Sequence, residues 1–226
     1  MNSTRSALAA ALLFGATAAG AVPLSNGFSG QHFLDTALPG TTESARPQLA
    51  GLVLQDVDTP FSLNGVSGVV QNRVVREDGT GTLDFYWRVI VDPTSTGVGV
   101  SALRLENFGY DNLTDADWRI DGLGNVSAST ARLFSPTYYP TGDLNFLLDG
   151  TVDGGGSSAF LMLHTDATTY TYAAGYDLLV GSSQALTQSF STFRPTAVPE
   201  PAPAAMLALG VLALAGVRAR RSRERA

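Results

Sequence analysis

The segment TLDFYWRVIVD, residues Thr82–Asp92, decides the fold class of this 226-residue chain. Apolar and polar side chains alternate along most of its length. One face carries Leu83, Phe85, Trp87, Val89 and Val91, and the other carries Asp84, Tyr86, Arg88, Ile90 and Asp92. Because successive side chains of a β-strand point to opposite faces, this pattern predicts a half-buried antiparallel strand.

Other short segments repeat the pattern. In SALRLEN (101–107) the apolar pair Leu103 and Leu105 opposes the charged pair Arg104 and Glu106. The segment AFLML (159–163) is apolar on both faces, which predicts a strand in the middle of a sheet. Further strand candidates are VVQNRVV (69–75), LNFLL (144–148) and TYTY (169–172).

Turn signals separate these segments. Asp-Gly and Gly-Gly pairs recur in clusters such as REDGTG, DGLGN and DGTVDGGGSS, and they supply the positive φ angles that tight turns need. Strands at intervals of about 8–12 residues predict about eight to twelve strands in total, with residues 22–48 forming an edge strand and a loop. The sequence therefore predicts an all-β fold, an antiparallel β-sandwich or jelly-roll-like domain over residues 22–197.

The composition excludes several kinds of chemistry. All 14 basic residues are Arg, and the chain has no Cys. Without Lys there is neither a Walker-A phosphate loop nor a lysine Schiff base. Without Cys there is no disulfide, thiolate zinc site or cysteine nucleophile. The net charge of −6 argues against nucleic acid as a partner.

The N-terminus has the three regions of a secretory signal peptide, predicted for residues 1–21. Arg5 supplies the basic region and Ala7–Ala18 supplies a short apolar run. Ala19 and Ala21 then place small residues at the two recognition positions for cleavage. The alternative is a buried helix in a cytosolic protein, but the order of the three regions favours export. The apolar run is too short for a helix that spans a bilayer, as is usual in a signal peptide.

The C-terminus predicts a short transmembrane helix and an orientation. Ala204–Val217 is almost entirely Ala, Leu, Val and Gly, but it is shorter than the about 20 residues of a comfortable membrane span. A stop-transfer cluster follows at Arg218, Arg220, Arg221, Arg223 and Arg225. Since such a cluster stays on the cytoplasmic side, the domain is expected outside.

The stretch before this helix carries a recognisable motif. VPEP at Val198, Pro199, Glu200 and Pro201, together with the helix and the Arg-rich end, resembles the PEP-CTERM sorting signal, over residues 198–226. The resemblance implies processing near this motif by an exosortase-type peptidase of a Gram-negative bacterium. It also implies a transient tether to the inner membrane, followed by delivery to the cell envelope, outer surface or medium. The alternative is a Pro-rich linker ahead of an ordinary anchor.

Candidate sites within the domain are few. The only histidines are His32, near Ser29, and His164, which the alternation places as a partly buried strand residue. The oxygen-rich residues of YDNLTDADWRIDGLGN predict a candidate structural Ca²⁺ site. The segment does not match the EF-hand template. The alternative is an acidic loop whose Asp and Asn side chains form Asx-turns with their own backbone. The candidate calcium ligands are Asp111, Asp115, Asp117 and Asp121. No other cofactor is predicted.

These patterns favour a non-catalytic exported protein, and the resemblance to the PEP-CTERM signal implies that it belongs to the cell envelope or extracellular matrix, in association with exopolysaccharide or biofilm. Exposed aromatic side chains on one sheet face would support carbohydrate binding. One alternative is a secreted carbohydrate-active hydrolase, which requires a cleft with two carboxylates, at least one with a raised pKa. Another is a surface adhesin that stays anchored in the membrane.

Overall fold

The computed structural model describes residues 22–24, 27–109, 113–181 and 189–196. The predicted signal peptide (1–21) and sorting signal (198–226) lie outside these residues. The described part contains one short 3-10 helix, Pro47–Leu49, and twelve strands. The strands are β1 (Val22–Pro23), β2 (Phe33–Ala37), β3 (Gly51–Leu63), β4 (Val66–Glu77), β5 (Leu83–Val91), β6 (Val100–Glu106), β7 (Leu113–Trp118), β8 (Ala128–Phe134), β9 (Leu144–Val152), β10 (Leu161–Thr165), β11 (Tyr170–Val180) and β12 (Phe190–Pro195).

The strands form two six-stranded sheets. The first sheet has the order β1-β7-β10-β5-β4-β3, and the second has the order β12-β11-β6-β9-β8-β2. Neighbouring strands within each sheet pair antiparallel. The all-β prediction is confirmed, and two such sheets are consistent with a β-sandwich. The strand number falls within the predicted range, β10 is central and β2 is an edge strand, as expected.

The main core lies between the inner faces of the two sheets. The predicted apolar face of β5 is buried in it, and Trp87 is 1% exposed. The Trp87 ring meets Phe146 of β9, in the second sheet, with ring centroids 6.3 Å apart. Leu103 and Leu105 of β6 are fully buried in the same core. Period-two alternation therefore identified the inward-facing side chains of these strands correctly.

The outer face of the first sheet is partly covered, which the alternation did not predict. A covering segment, residues 42–50, lays Leu49 on that face, where it packs in a second small core with Val75, Tyr86, Phe160 and Met162. As a result Asp84 and Tyr86 of β5 are 0% and 4% exposed. The first half of β5 is thus buried on both faces rather than half-buried.

The β3–β4 hairpin shows local sequence chemistry that fits its place at the sheet edge. Its two-residue turn is Asn64-Gly65, with φ angles of 49° and 79°, a combination that matches the twist of antiparallel strands. Pro60 lies within β3, and a strand that contains proline is tolerated at an edge because proline donates no backbone hydrogen bond. Within the described ranges, no helix has the length and apolar character needed to cross a membrane.

Candidate functional site

Three ionisable side chains meet on the outer face of the first sheet, next to the covering segment. Glu77 ends β4, Asp84 lies near the start of β5, and His164 lies on β10. Asp84 and His164 are directly opposite each other in the pairing of β5 with β10. We call these three residues the acid–histidine cluster. Antiparallel register between strands far apart in sequence is what brings them together.

The imidazole of His164 contacts both carboxylates with the same nitrogen. Its Nδ1 is 2.7 Å from Oδ1 of Asp84 and 3.0 Å from Oε1 of Glu77. The side chains of Glu77 and Asp84 are fully buried, and that of His164 is 18% exposed. The second oxygen of each carboxylate accepts hydrogen bonds from hydroxyl groups. Tyr86 donates to Asp84 at 3.1 Å, and Thr80 and Thr82 donate to Glu77 at 2.6 and 2.9 Å.

Burial and charge act in opposite directions within the cluster. Burial raises the pKa of Asp84 above its usual value, and the contact with His164 only partly offsets this. Burial alone would lower the pKa of His164, but the hydrogen bond and charge of Asp84 and the charge of Glu77 raise it. The position between the two carboxylates therefore favours a positive charge.

The predicted calcium ligands are distributed among other partners. Asp115 forms a two-pronged ion pair with Arg46 of the covering segment, at 3.2 and 3.3 Å. Asp117 is buried and accepts hydrogen bonds from the backbone N–H groups of Gly40 and Trp118, and Asp121 lies on an exposed loop. Asp111 lies outside the described residues.

These acids do not converge. Among the residues that the structure describes, the one group of metal-ligating side chains whose ligand atoms lie within 4.8 Å of one another is the acid–histidine cluster. Oδ1 of Asp121 accepts a 2.7 Å hydrogen bond from Arg119, and its other carboxylate oxygen accepts one from the backbone N–H of Glu43. The calcium site stays a prediction.

A cavity of about 470 Å³ opens on the same outer face, beside the cluster. Its walls include Tyr86, Phe160, Arg73 and Arg119. The Arg73 guanidinium lies over the Phe160 ring, 4.8 Å from its centroid, and also pairs with Asp56 at 2.7 Å. The walls of this cavity therefore combine aromatic rings with cations that already have partners.

The outer face of the second sheet carries a row of polar side chains that crosses five strands. Each member lies directly opposite the next in the strand register. The ends of the row are ion pairs, one between β2 and β8 and one between β6 and β11. This polar row consists of Asp35, Arg132, Asn145, Arg104 and Asp177.

Aromatic rings lie beside the polar row. Phe33 and Phe134 are opposite each other on β2 and β8, and Phe134 meets Tyr139 edge-to-face at 4.8 Å. The Arg132 guanidinium lies 4.1 Å above the Phe33 ring. Phe33, Tyr138 and Tyr139 are 40%, 49% and 38% exposed. We call Phe33, Phe134, Tyr138 and Tyr139 the aromatic group.

A pocket of about 170 Å³ joins the polar row to the aromatic group. Its lining includes Phe134, Tyr139 and the carboxylates Glu106, Asp143 and Asp177. Burial raises the pKa of Glu106, and the charges of Asp177 and Asp143 add to the shift. Burial also raises the pKa of Asp177, although the Arg104 guanidinium opposes it.

Four further aromatic side chains divide between core and surface. Trp118 packs against the main core and donates its indole N–H to the carbonyl of Leu38 at 3.4 Å. Tyr138 and Tyr139 are exposed in the aromatic group, and His32 stacks on Tyr138 with ring centroids 3.9 Å apart. Tyr172 is 50% exposed on β11.

No protein-family model, curated protein or solved structure matches the chain. The sorting-signal resemblance, the partners and the destination of the protein therefore stay predictions.

The sequence analysis did not single out Glu77, and it placed Asp84 on an exposed face. Their positions in the sequence could have identified them, because Glu77 ends β4 and Asp84 lies near the start of β5, the next strand.

Proposed function

We propose that the chain is a non-catalytic exported protein whose β-sandwich or jelly-roll-like domain works in the bacterial envelope or extracellular matrix. On this proposal an exosortase-type peptidase processes it near Val198–Pro201, and the released domain binds extracellular polysaccharide on the outer face of the second sheet. The observation that carries the binding proposal is the exposed aromatic group beside the polar row.

The chemistry of this face suits a polysaccharide. The C–H faces of sugar rings pack on aromatic side chains, and exposed rings such as Tyr139 offer that surface at low entropic cost. The Arg132 guanidinium can donate to sugar hydroxyls and the Asp35 carboxylate can accept from them, since their side chains are 29% and 42% exposed. Since the row holds two cations, each paired with an anion, its charges balance and it suits a neutral polymer better than a highly charged one.

The geometry also suits an extended chain. The polar row runs across the strands, and neighbouring strands lie about 4.8 Å apart, so five strands present a track about 19 Å long. Several sugar units of one chain can contact such a track at once. Weak contacts to successive units then add, as in any multivalent interaction.

Affinity electrophoresis tests this proposal. The protein is run through gels that contain the extracellular polysaccharide of its own host, and retardation measures binding. We expect Tyr139→Ala to weaken binding at least about tenfold, as for an exposed aromatic anchor. Tyr172→Ala is the control, since Tyr172 is another exposed tyrosine with an edge contact, to Phe193 at 4.8 Å, and lies outside the aromatic group. Equal retardation of both variants and the unaltered protein would show that the outer face of the second sheet does not bind the polysaccharide.

The pocket beside the aromatic group favours a second candidate, a secreted polysaccharide hydrolase. Glu106 and Asp177 both have raised pKa values there, as a general acid requires. Against this, Asp177 is 2% exposed and paired with Arg104. Release of reducing ends from the same polysaccharide decides between the candidates. Our proposal expects none, whereas the hydrolase predicts release that Glu106→Gln abolishes.

A further inference from the structure

We propose that the acid–histidine cluster is a binding site for a divalent transition-metal ion, best matched by Zn²⁺, with Oε1 of Glu77, Oδ1 of Asp84 and Nδ1 of His164 as ligands. This site lies on the first sheet and is independent of the proposed polysaccharide-binding face. The ligand set comprises one imidazole nitrogen and two carboxylate oxygens, which are zinc ligands in proteins that lack thiolates.

One buried acceptor in the cluster lacks a hydrogen-bond partner. Neutral or protonated, the imidazole can offer only one N–H at Nδ1, yet two carboxylate oxygens approach that nitrogen. Asp84 takes the hydrogen bond, and Oε1 of Glu77 is left buried with no hydrogen-bond partner. A cation at this point would contact all three ligand atoms at once, which a single proton cannot do.

Hydrogen bonds from neighbouring hydroxyl groups hold the two carboxylates in place. The outer oxygens Oδ2 of Asp84 and Oε2 of Glu77 are held by the hydroxyl groups of Tyr86, Thr80 and Thr82. The inner oxygens are thereby turned toward His164. Hydrogen bonds that orient the ligands in this way are characteristic of metal sites, where the partners of the ligands fix their direction.

The charge of the cluster also favours a divalent cation. The neighbouring Asp115 already has its cation, because Arg46 pairs with it. Two buried carboxylates then face one imidazole, which leaves a net negative charge even when His164 is protonated. A divalent ion balances that charge, and the cluster reaches the surface at His164, whose side chain is 18% exposed.

The fit requires only small movements. Zinc binds nitrogen and oxygen ligands at about 2.0–2.2 Å, so ligand atoms in a tetrahedral site lie about 3.3 Å apart. The observed separations from Nδ1 are 2.7 and 3.0 Å, and slight side-chain rotations open them to that distance. A bound ion would link β4, β5 and β10, giving this cysteine-free chain a cross-link between strands.

Isothermal titration calorimetry with ZnCl₂ tests the proposal on the full chain, purified in mild detergent without a histidine tag. We expect one Zn²⁺ per chain, with Ca²⁺ and Mg²⁺ at least about tenfold weaker because they prefer all-oxygen ligands. The chain has two histidines, which supplies a matched pair. His164→Ala should abolish zinc binding, and His32→Ala should leave it unchanged.

Glu77→Gln keeps the shape of the side chain and its acceptor for Thr80 and Thr82, so it preserves the fold and removes one charged ligand. It should weaken zinc binding more than about tenfold. Co²⁺ substitution gives a second readout, a visible absorption band that is lost in His164→Ala. Absence of zinc binding to the unaltered chain, or binding that persists in His164→Ala or is unchanged in Glu77→Gln, would overturn the proposal.

Discussion

The indole N–H of Trp87, on β5 of the first sheet, donates a 2.9 Å hydrogen bond to the hydroxyl of Thr192, on β12 of the second sheet. Thr192 in turn donates to Oδ1 of Asn72 at 2.9 Å, and all three residues are at most 1% exposed. A polar link therefore crosses a largely apolar core and joins one sheet to the other.

Replacement of Thr192 by valine should destabilise the fold. The substitution keeps the shape but leaves the Trp87 N–H and the Asn72 carbonyl oxygen buried without that partner, and each such group costs about 1–3 kcal/mol. We expect the free energy of unfolding, measured in urea, to fall by at least about 1 kcal/mol. Thr130→Val, at a partly exposed site on β8, is the control and should change it by less than about 0.5 kcal/mol. Equal effects would mean that the link adds nothing to stability.

The two ion pairs of the polar row should differ in their contribution to stability. Arg104 pairs with Asp177, whose side chain is 3% exposed, and Arg132 pairs with Asp35, whose side chain is 42% exposed. Removal of Arg104 leaves a buried carboxylate without its cation, so Arg104→Ala should cost about 3–5 kcal/mol. Arg132→Ala should cost about 1 kcal/mol or less. Chemical denaturation of the two variants side by side measures the difference, and the reverse order would contradict this account of the row.

The same row should show a pKa shift whose sign can be tested. The hydrogen bond from Arg132 lowers the pKa of Asp35. Because the ionised carboxylate is favoured in the folded state, its stabilising effect is present above the unfolded pKa and is lost as pH falls through the lower folded value. Carbon-13 NMR titration of the Asp35 carboxyl should give a pKa below the usual value, and Arg132→Ala should return it upward. A value that does not respond to the substitution would exclude Arg132 as the cause.

The main features of this two-sheet fold are readable in the sequence because the inner faces of the strands follow period two. Leu83 to Val91 and the Leu103–Leu105 pair show it, and both were placed on the correct face. Strands with irregular pairing gave a weaker signal: β3 contains Pro60, and its register with β4 shifts between Val53 and Gln55. The position and register of such a strand depend on the neighbouring strand more than on its own apolar pattern.

The acid–histidine cluster could not be read from the sequence for a related reason. His164 was correctly expected to be a partly buried strand residue, but its partners depend on strand register and on a covering segment. Residues 42–50 show no apolar periodicity, yet Arg46 and Leu49 anchor them over the outer face. Tertiary contacts of this kind turn a face that alternation marks as exposed into a buried one.

Intact-mass spectrometry of the protein from its own host tests whether the chain works outside the cell after processing at both ends. Protein would be isolated separately from the culture medium and the membrane fraction. We predict an extracellular or envelope form that begins near Val22 and has lost the residues that follow the Val198–Pro201 motif, including the cluster from Arg218 to Arg225. Protein found only in the membrane, trimmed at the front but still carrying those arginines, would contradict the claim and identify an anchored surface protein.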